Sequence, residues 1–327
     1  MSMAAEQLRT RIKTVLEQDA LLVKILPMSG QLDHAKLSRG LLMIKLAESN
    51  QINLDLAMNA AVGIELVHMA TLIHDDVIDL ADLRRGEVSF HKQYGDKGAI
   101  LFGDYLFSTA MQQIQVTQSE GCAQLFTRCV QDTCRGEAIQ DLYLTFAEAD
   151  ISVSLLHEVA RGKTGALFSF CTAAPFLMDR DYTGVVRAAV REAGYLSGLA
   201  YQLADDILDI TGESGNLGKQ PGNDLTKNCM TTPLYLLMVE LGMNWSTFRK
   251  DYIGDLHKLA RHFLESKSFA IVQQQVVELK LRMESHLLLI DREKIRFREI
   301  IERFWDHYIF KRMSQLRDMA MSYSSLP

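Results

Sequence analysis

The chain has 327 residues, 48% of them hydrophobic and 23% charged, with a formal net charge of −6. That is enough apolar material for a full core, while no uninterrupted apolar run is long enough to cross a bilayer and no basic stripe invites nucleic acid. The cysteines, Cys122, Cys129, Cys134, Cys171 and Cys229, are odd in number and lack CxxC spacing, so they read as free thiols in a reducing, cytoplasmic compartment and exclude a zinc site or disulfide frame.

The N-terminal stretch MSMAAEQLRTRIKTVLEQ has acidic residues and helical spacing but no apolar targeting core, and predicts a first helix. The only prolines are Pro27, Pro175, Pro221, Pro233 and Pro327, and the long segments between them place apolar residues at helical spacing. Breaks are expected at 27–33, 95–97, 179–183 and in the polar GESGNLGKQPGND, 212–224. None has the composition of an interdomain linker, so residues 1–327 are expected to form one all-α domain.

One short pattern occurs twice. Asp75, Asp76 and Asp79 form a DDxxD in HDDVIDLADLRRG, and Asp205, Asp206 and Asp209 form another in YQLADDILDITG. On a helix the first and last carboxylates of each cluster share a face four residues apart and repel unless a cation lies between them. Oxygen donors without His or Cys favour a hard ion, and Mg²⁺, which keeps waters and takes phosphate oxygens, suits so sparse a set. The alternative is a solvated acidic face, but ELVHMATLI and GYLSGLAYQLA before the two clusters are too apolar for that. Mg²⁺ held this way is usually presented to phosphate, which makes Lys36, Arg39, Arg84, Arg85, Lys163 and Lys219 candidate phosphate contacts.

In order, these motifs resemble the trans-type polyprenyl diphosphate synthases, which condense isopentenyl diphosphate head-to-tail with an allylic diphosphate. The carriers of the resemblance are AKLSRG (35–40), HMATLIHDDVIDLADLRRG (68–86), GDYLF (103–107), GEAIQ (136–140), GKTGALF (162–168), and YQLADDILD with LGKQPGND, spanning about 28–233. Beyond them lie helical spacing and the basic pair Lys311 and Arg312.

The resemblance implies an all-α bundle around a deep central cavity, the isoprenoid synthase fold, usually as a homodimer. It implies about three Mg²⁺ ions bridging both aspartate clusters and the allylic diphosphate. By the same carry-over Asp75, Asp79 and Asp205 are metal ligands, while Asp76, Asp206 and Asp209 hold waters or orient neighbours. Arg84, Lys163, Thr164, Gln202 and Lys219 contact the allylic diphosphate; Lys36, Arg39, His68 and Arg85 hold isopentenyl diphosphate. His68 stands seven residues, two helical turns, before Asp75, whereas His74 could equally support a carboxylate.

Three departures from the family pattern stand out: Ala35 replaces a glycine, Leu37 an arginine that many bacterial members carry, and Cys229 in NDLTKNCMTTP a lysine, unless Lys227 reaches over. The implied chemistry is heterolysis of an allylic carbon–oxygen bond in an apolar pocket that shields the cation from water. Small residues at Ala70 and Thr71, where short-product members carry bulky aromatics, imply a product longer than farnesyl, with Phe107 or Phe170 as the deeper floor. Two rivals remain: a class I terpene cyclase, which normally lacks the second DDxxD, and a partner subunit of a heteromeric synthase, which typically loses one cluster.

Overall fold

The computed structural model describes residues 3–19, 35–84, 86–144, 151–179, 182–212, 222–291, 295–311 and 313. In chain order the helices are α1 (Met3–Leu16), α2 (Ser38–Ser49), α3 (Leu54–Ile78), α4 (Phe90–Val116), α5 (Glu120–Ala138), α6 (Val153–Ala160) and α7 (Ala166–Met178). They continue as α8 (Gly184–Thr211), the single turn α9 (Asn223–Thr226), α10 (Thr232–Glu240), α11 (Trp245–Tyr252), α12 (Leu256–Glu265), α13 (Lys267–Asp291) and α14 (Arg298–Trp305). Among the described residues the only sheet is a two-residue antiparallel pair, β1 (Leu83–Arg84) with β2 (Glu87–Val88). The all-α expectation holds. The expected break at 95–97 is a kink inside α4, where Gly95 takes φ 77°, ψ 161°.

The chain divides into two compact units, Met1–Arg128 with Phe170–Ala188, and Cys129–Ser169 with Ala189–Pro327. The first is built around α3. Asn53 caps it by accepting the N–H groups of Asp55 and Leu56 at 3.0 and 3.2 Å. From Ala57 to Ile73 most residues are buried, on all sides of the helix, as in a core helix. The expectation that no uninterrupted apolar run is long enough to cross a bilayer stands, because Asn59, Glu65 and His68 interrupt this helix, with one qualification. By length and composition α3 is long and apolar enough, yet 72% of that window is buried inside the protein, as befits a core helix. Helix α4 runs back antiparallel along it: a Cβ on Gly63 would lie 3.0 Å from Ile114, and one on Gly103 would collide with His74.

The second unit buries Trp305, whose indole N–H donates to Ser197 Oγ at 2.8 Å. In the same unit Phe168, Phe304 and Tyr308 pack with ring centroids about 5 Å apart (Phe168–Phe304 5.1 Å, Phe304–Tyr308 4.9 Å). Its polar end is organised by a π-helical turn, Arg161–Gly165, between α6 and α7, a distortion frequent at functional sites.

Candidate active site

The first aspartate cluster does not sit mid-helix. Asp75 and Asp76 occupy the last turn of α3, and Asp79 is its C-cap, with its N–H donating to the Asp75 carbonyl at 2.8 Å. Carboxylates here add to the negative end of the helix dipole, and that last turn carries no basic residue. The repulsion is therefore stronger than spacing alone implies. Asp76, 2% exposed, accepts Arg84 Nε at 2.8 Å, and Arg84 Nη2 meets the same oxygen. Arg84 also reaches the Leu72 carbonyl at 3.4 Å. The residue expected to touch diphosphate is here committed to Asp76, tying the β1 strand back to the helix end. Arg85 and Lys219 lie outside the described residues.

His74 faces α4: its Nε2 is 3.1 Å from the Ile100 carbonyl oxygen and 3.8 Å from Asp104, and its ring centroid is 5.8 Å from that of Phe107. It is placed where a Cβ on Gly103 would lie 2.1 Å from Nε2, so the glycine of GDYLF makes room for the histidine. Ala70 is fully buried and Thr71 half-buried, its hydroxyl donating to the His68 carbonyl at 2.9 Å. His68 is half-buried. One turn from the His74–Gly103 contact along each antiparallel helix puts Phe107 level with Ala70, not beneath it. Phe170 lies edge-on to Phe126 at 5.4 Å in the packed core.

Leu37 is buried at φ 50° as the N-cap of α2. That left-handed turn leaves Lys36 exposed and Arg39 buried in the first turn. The Gly40 N–H donates to the buried Glu65 carboxylate at 2.7 Å, anchoring the segment on α3.

The second unit gathers its expected residues more tightly. The Thr164 hydroxyl donates to Gln202 Oε1 at 2.5 Å, and Gln202 Nε2 donates to Asp206 Oδ1 at 2.7 Å. Two bare backbones permit this, since a Cβ on Gly198 would lie 2.6 Å from Gly165 Cα. Lys163 Nζ donates to Glu137 Oε2 at 2.6 Å. Gly136 and Gly162 make the crossing between α5 and the π turn equally close, with an added Cβ 2.7 Å from Lys163 N or Asp132 O. Asp209 accepts the N–H groups of Asn223 and Asp224 at 3.2 and 2.9 Å, so its carboxylate caps α9 and fixes where the chain re-enters after 213–221. Cys229, in the lysine position, accepts a hydrogen bond from Gln140 Nε2. Sequence reasoning assigned no role to Glu137, Gln140 or Asp224; the GEAIQ motif was the signal for the first two.

Charge is crowded there. Burial first, then the Asp224 carboxylate, push Asp206 well above the usual carboxylate range, with Asp205 and Asp209 adding to the effect against the Gln202 hydrogen bond. Burial and Asp224 likewise push the Cys229 thiol up, opposed by Lys163. Such mutual repulsion among oxygen donors fits a hard divalent cation. Among the described residues no three His, Cys, Asp or Glu side chains form a ready-made cage. Ligation by one or two carboxylates completed by water and phosphate oxygens is the manner of Mg²⁺.

Comparison with known proteins agrees with this picture. A family model described as polyprenyl synthetase matches residues 27–250. The chain is 33% identical over 208 residues to heptaprenyl diphosphate synthase component 2 of Geobacillus stearothermophilus, covering 62% of each chain. It is 31% identical over 248 residues to geranylgeranyl diphosphate synthase of Methanosarcina mazei, covering 71% of this chain and 75% of that one. A polyprenyl synthase from Caulobacter crescentus, solved with calcium and isoprenyl diphosphate, superimposes with a TM-score of 0.77 at 26% identity over 87% of this chain and 89% of the other. The geranylgeranyl pyrophosphate synthetase of Pyrococcus horikoshii, at 23% identity, shares the fold with a TM-score of 0.79 over 93% of this chain and 95% of that one.

Proposed function

The chain belongs to the polyprenyl synthetase family, and from that premise we propose that it condenses isopentenyl diphosphate with an allylic diphosphate to give an all-trans prenyl diphosphate. One observation carries the reading: the self-repelling carboxylates Asp205, Asp206, Asp209 and Asp224 lie in the same unit as the donors Lys163 and Thr164. That is the composition of a site for a metal-complexed diphosphate.

In the proposed reaction the allylic carbon–oxygen bond breaks and both electrons leave with the diphosphate. The isopentenyl double bond then attacks the allylic carbon, and the proton lost from the adduct goes to the released diphosphate. Bound Mg²⁺ supplies Lewis-acid neutralisation of the leaving charge. Asp75, Asp79 and Asp205 are assigned as its ligands. Lys163 and Thr164 orient the diphosphate, with Lys219 as a further contact. Gln202 spends its amide holding Thr164 to Asp206 and acts by positioning. Arg84 acts first through Asp76, while Lys36, Arg39, His68 and Arg85 are assigned to isopentenyl diphosphate.

The product is assigned as longer than farnesyl. Two things support this: Ala70, one turn before the cluster, is small where short-product members carry a bulky side chain, and the relatives are named for geranylgeranyl and heptaprenyl products. A second reading, a subunit active only with a partner, is favoured by one observation: the Geobacillus relative is named as component 2 of its synthase. Incubating the purified chain with Mg²⁺, radiolabelled isopentenyl diphosphate and allylic primers of graded length tests both. A ladder extending past farnesyl supports the first reading. Label incorporated only after a second protein is added supports the second, and none under either condition removes both.

A further inference from the structure

The carboxyl end of α5 meets two positions from which the family pattern offers a lysine to diphosphate, and this chain keeps only one of them. Gly136 lets the helix touch the backbone of the π turn at Lys163 N. Glu137, its side chain 16% exposed, receives Lys163 Nζ at 2.6 Å. Gln140, in the π-helical turn Ile139–Tyr143 that follows α5, donates to Cys229 Sγ where the second lysine is missing. A lysine stem is long and flexible, and a freely rotating ammonium must lose that freedom whenever it binds phosphate. A carboxylate at 2.6 Å removes the freedom in advance while using one of the three ammonium protons.

We propose that Glu137 is a positioning residue: its carboxylate pre-orients Lys163 for the allylic diphosphate, a role made more consequential by Cys229. The proposal rests on the reading of the reaction given above. Through Lys163 it affects affinity for the primer and not for isopentenyl diphosphate.

The test is a double-mutant cycle in the full chain with Mg²⁺. Glu137→Gln is expected to raise KM for the allylic primer about tenfold, the scale of one charge-assisted hydrogen bond, leaving KM for isopentenyl diphosphate unchanged. In a Lys163→Met background the same change is expected to have no further effect. Glu137→Asp should recover part of the loss and covers the case in which the glutamine variant fails to fold. Multiplying effects of the two substitutions, or an equal rise in both KM values, would overturn the proposal. A readout independent of turnover separates its failure from failure of the assigned reaction. Acylation of Lys163 by an N-hydroxysuccinimide ester, followed by peptide mass spectrometry, should be several-fold faster in the Glu137→Gln variant and intermediate in Glu137→Asp. Equal labelling in variant and wild type contradicts the pairing whether or not the chain condenses prenyl groups.

Discussion

Individual side chains at this site are set by what their neighbours lack. Gly103 carries no side chain, and His74 fills the space: in Gly103→Ala the new Cβ would stand 2.1 Å from Nε2, forcing the ring off the Ile100 carbonyl. A loss of about 1–3 kcal/mol is expected, read as a lowered midpoint in a thermal melt. Cys229 is the converse case, a small thiol near Lys163 and Asp224. Cys229→Lys restores the family's residue and should lower KM for the allylic primer several-fold in steady-state kinetics; an unchanged KM would mean that Lys163 and its neighbours already saturate the diphosphate. Ala70→Phe should shorten the product ladder, and an unaltered ladder would discard Ala70 as a determinant of length. The carboxylates and their spacing were legible in the sequence because DDxxD is a local pattern. Glu137 stood inside the quoted GEAIQ, but its role was not legible, because its partner Lys163 stands 26 residues away and a glutamate is ordinarily solvated.

At the level of elements, two crossings at glycine decide where the polar groups end up. Gly136 and Gly162 bring α5 against the π turn, and Gly198 brings α8 against Gly165. A Cβ on Gly198 would meet backbone, which has no flexible end to give, so Gly198→Ala should separate Thr164 from Gln202 and cost activity as well as about 1–3 kcal/mol of stability. Parallel melting and turnover measurements check both. The π turn is also clamped by Arg161, which donates to both oxygens of Glu192 at 2.9 and 2.7 Å and lies 4.1 Å over the Tyr195 ring. The Arg161 hydrogen bonds hold Glu192 below the usual carboxylate range. A depressed carboxylate stabilises the fold above its unfolded-state value and loses that contribution as pH falls through the folded-state value. The stability gap between wild type and Glu192→Gln should therefore be widest near neutrality and shrink below about pH 4 in urea titrations. Periodicity announced these helices, and Gly95 its kink. Helix crossings escape a single sequence because a glycine that admits another backbone reads the same as one that ends a helix.

Across the whole molecule, each compact unit carries one aspartate cluster, and each cluster is built to repel itself. In the first unit it stands at the carboxyl end of the core helix; in the second it includes Asp224, brought in from beyond 213–221 by the Asp209 cap. The second cluster was half legible: DDILD stands out, but the added charge of Asp224 depends on chain return and not on local spacing. The core helix shows the opposite limit. Its apolar length resembles a membrane span and is explained only by its burial. A fold with carboxylates crowded in this way should gain stability from a divalent cation by mass action. Both aspartate clusters are assigned to magnesium, and Mn²⁺ stoichiometry by electron paramagnetic resonance, in the presence of a non-ionisable allylic diphosphate analogue, reads that assignment at each cluster separately. Bound Mn²⁺ is expected to fall in Asp75→Ala and again in Asp205→Ala, with analogue affinity falling in both. Wild-type stoichiometry and affinity retained in either variant would contradict the assignment.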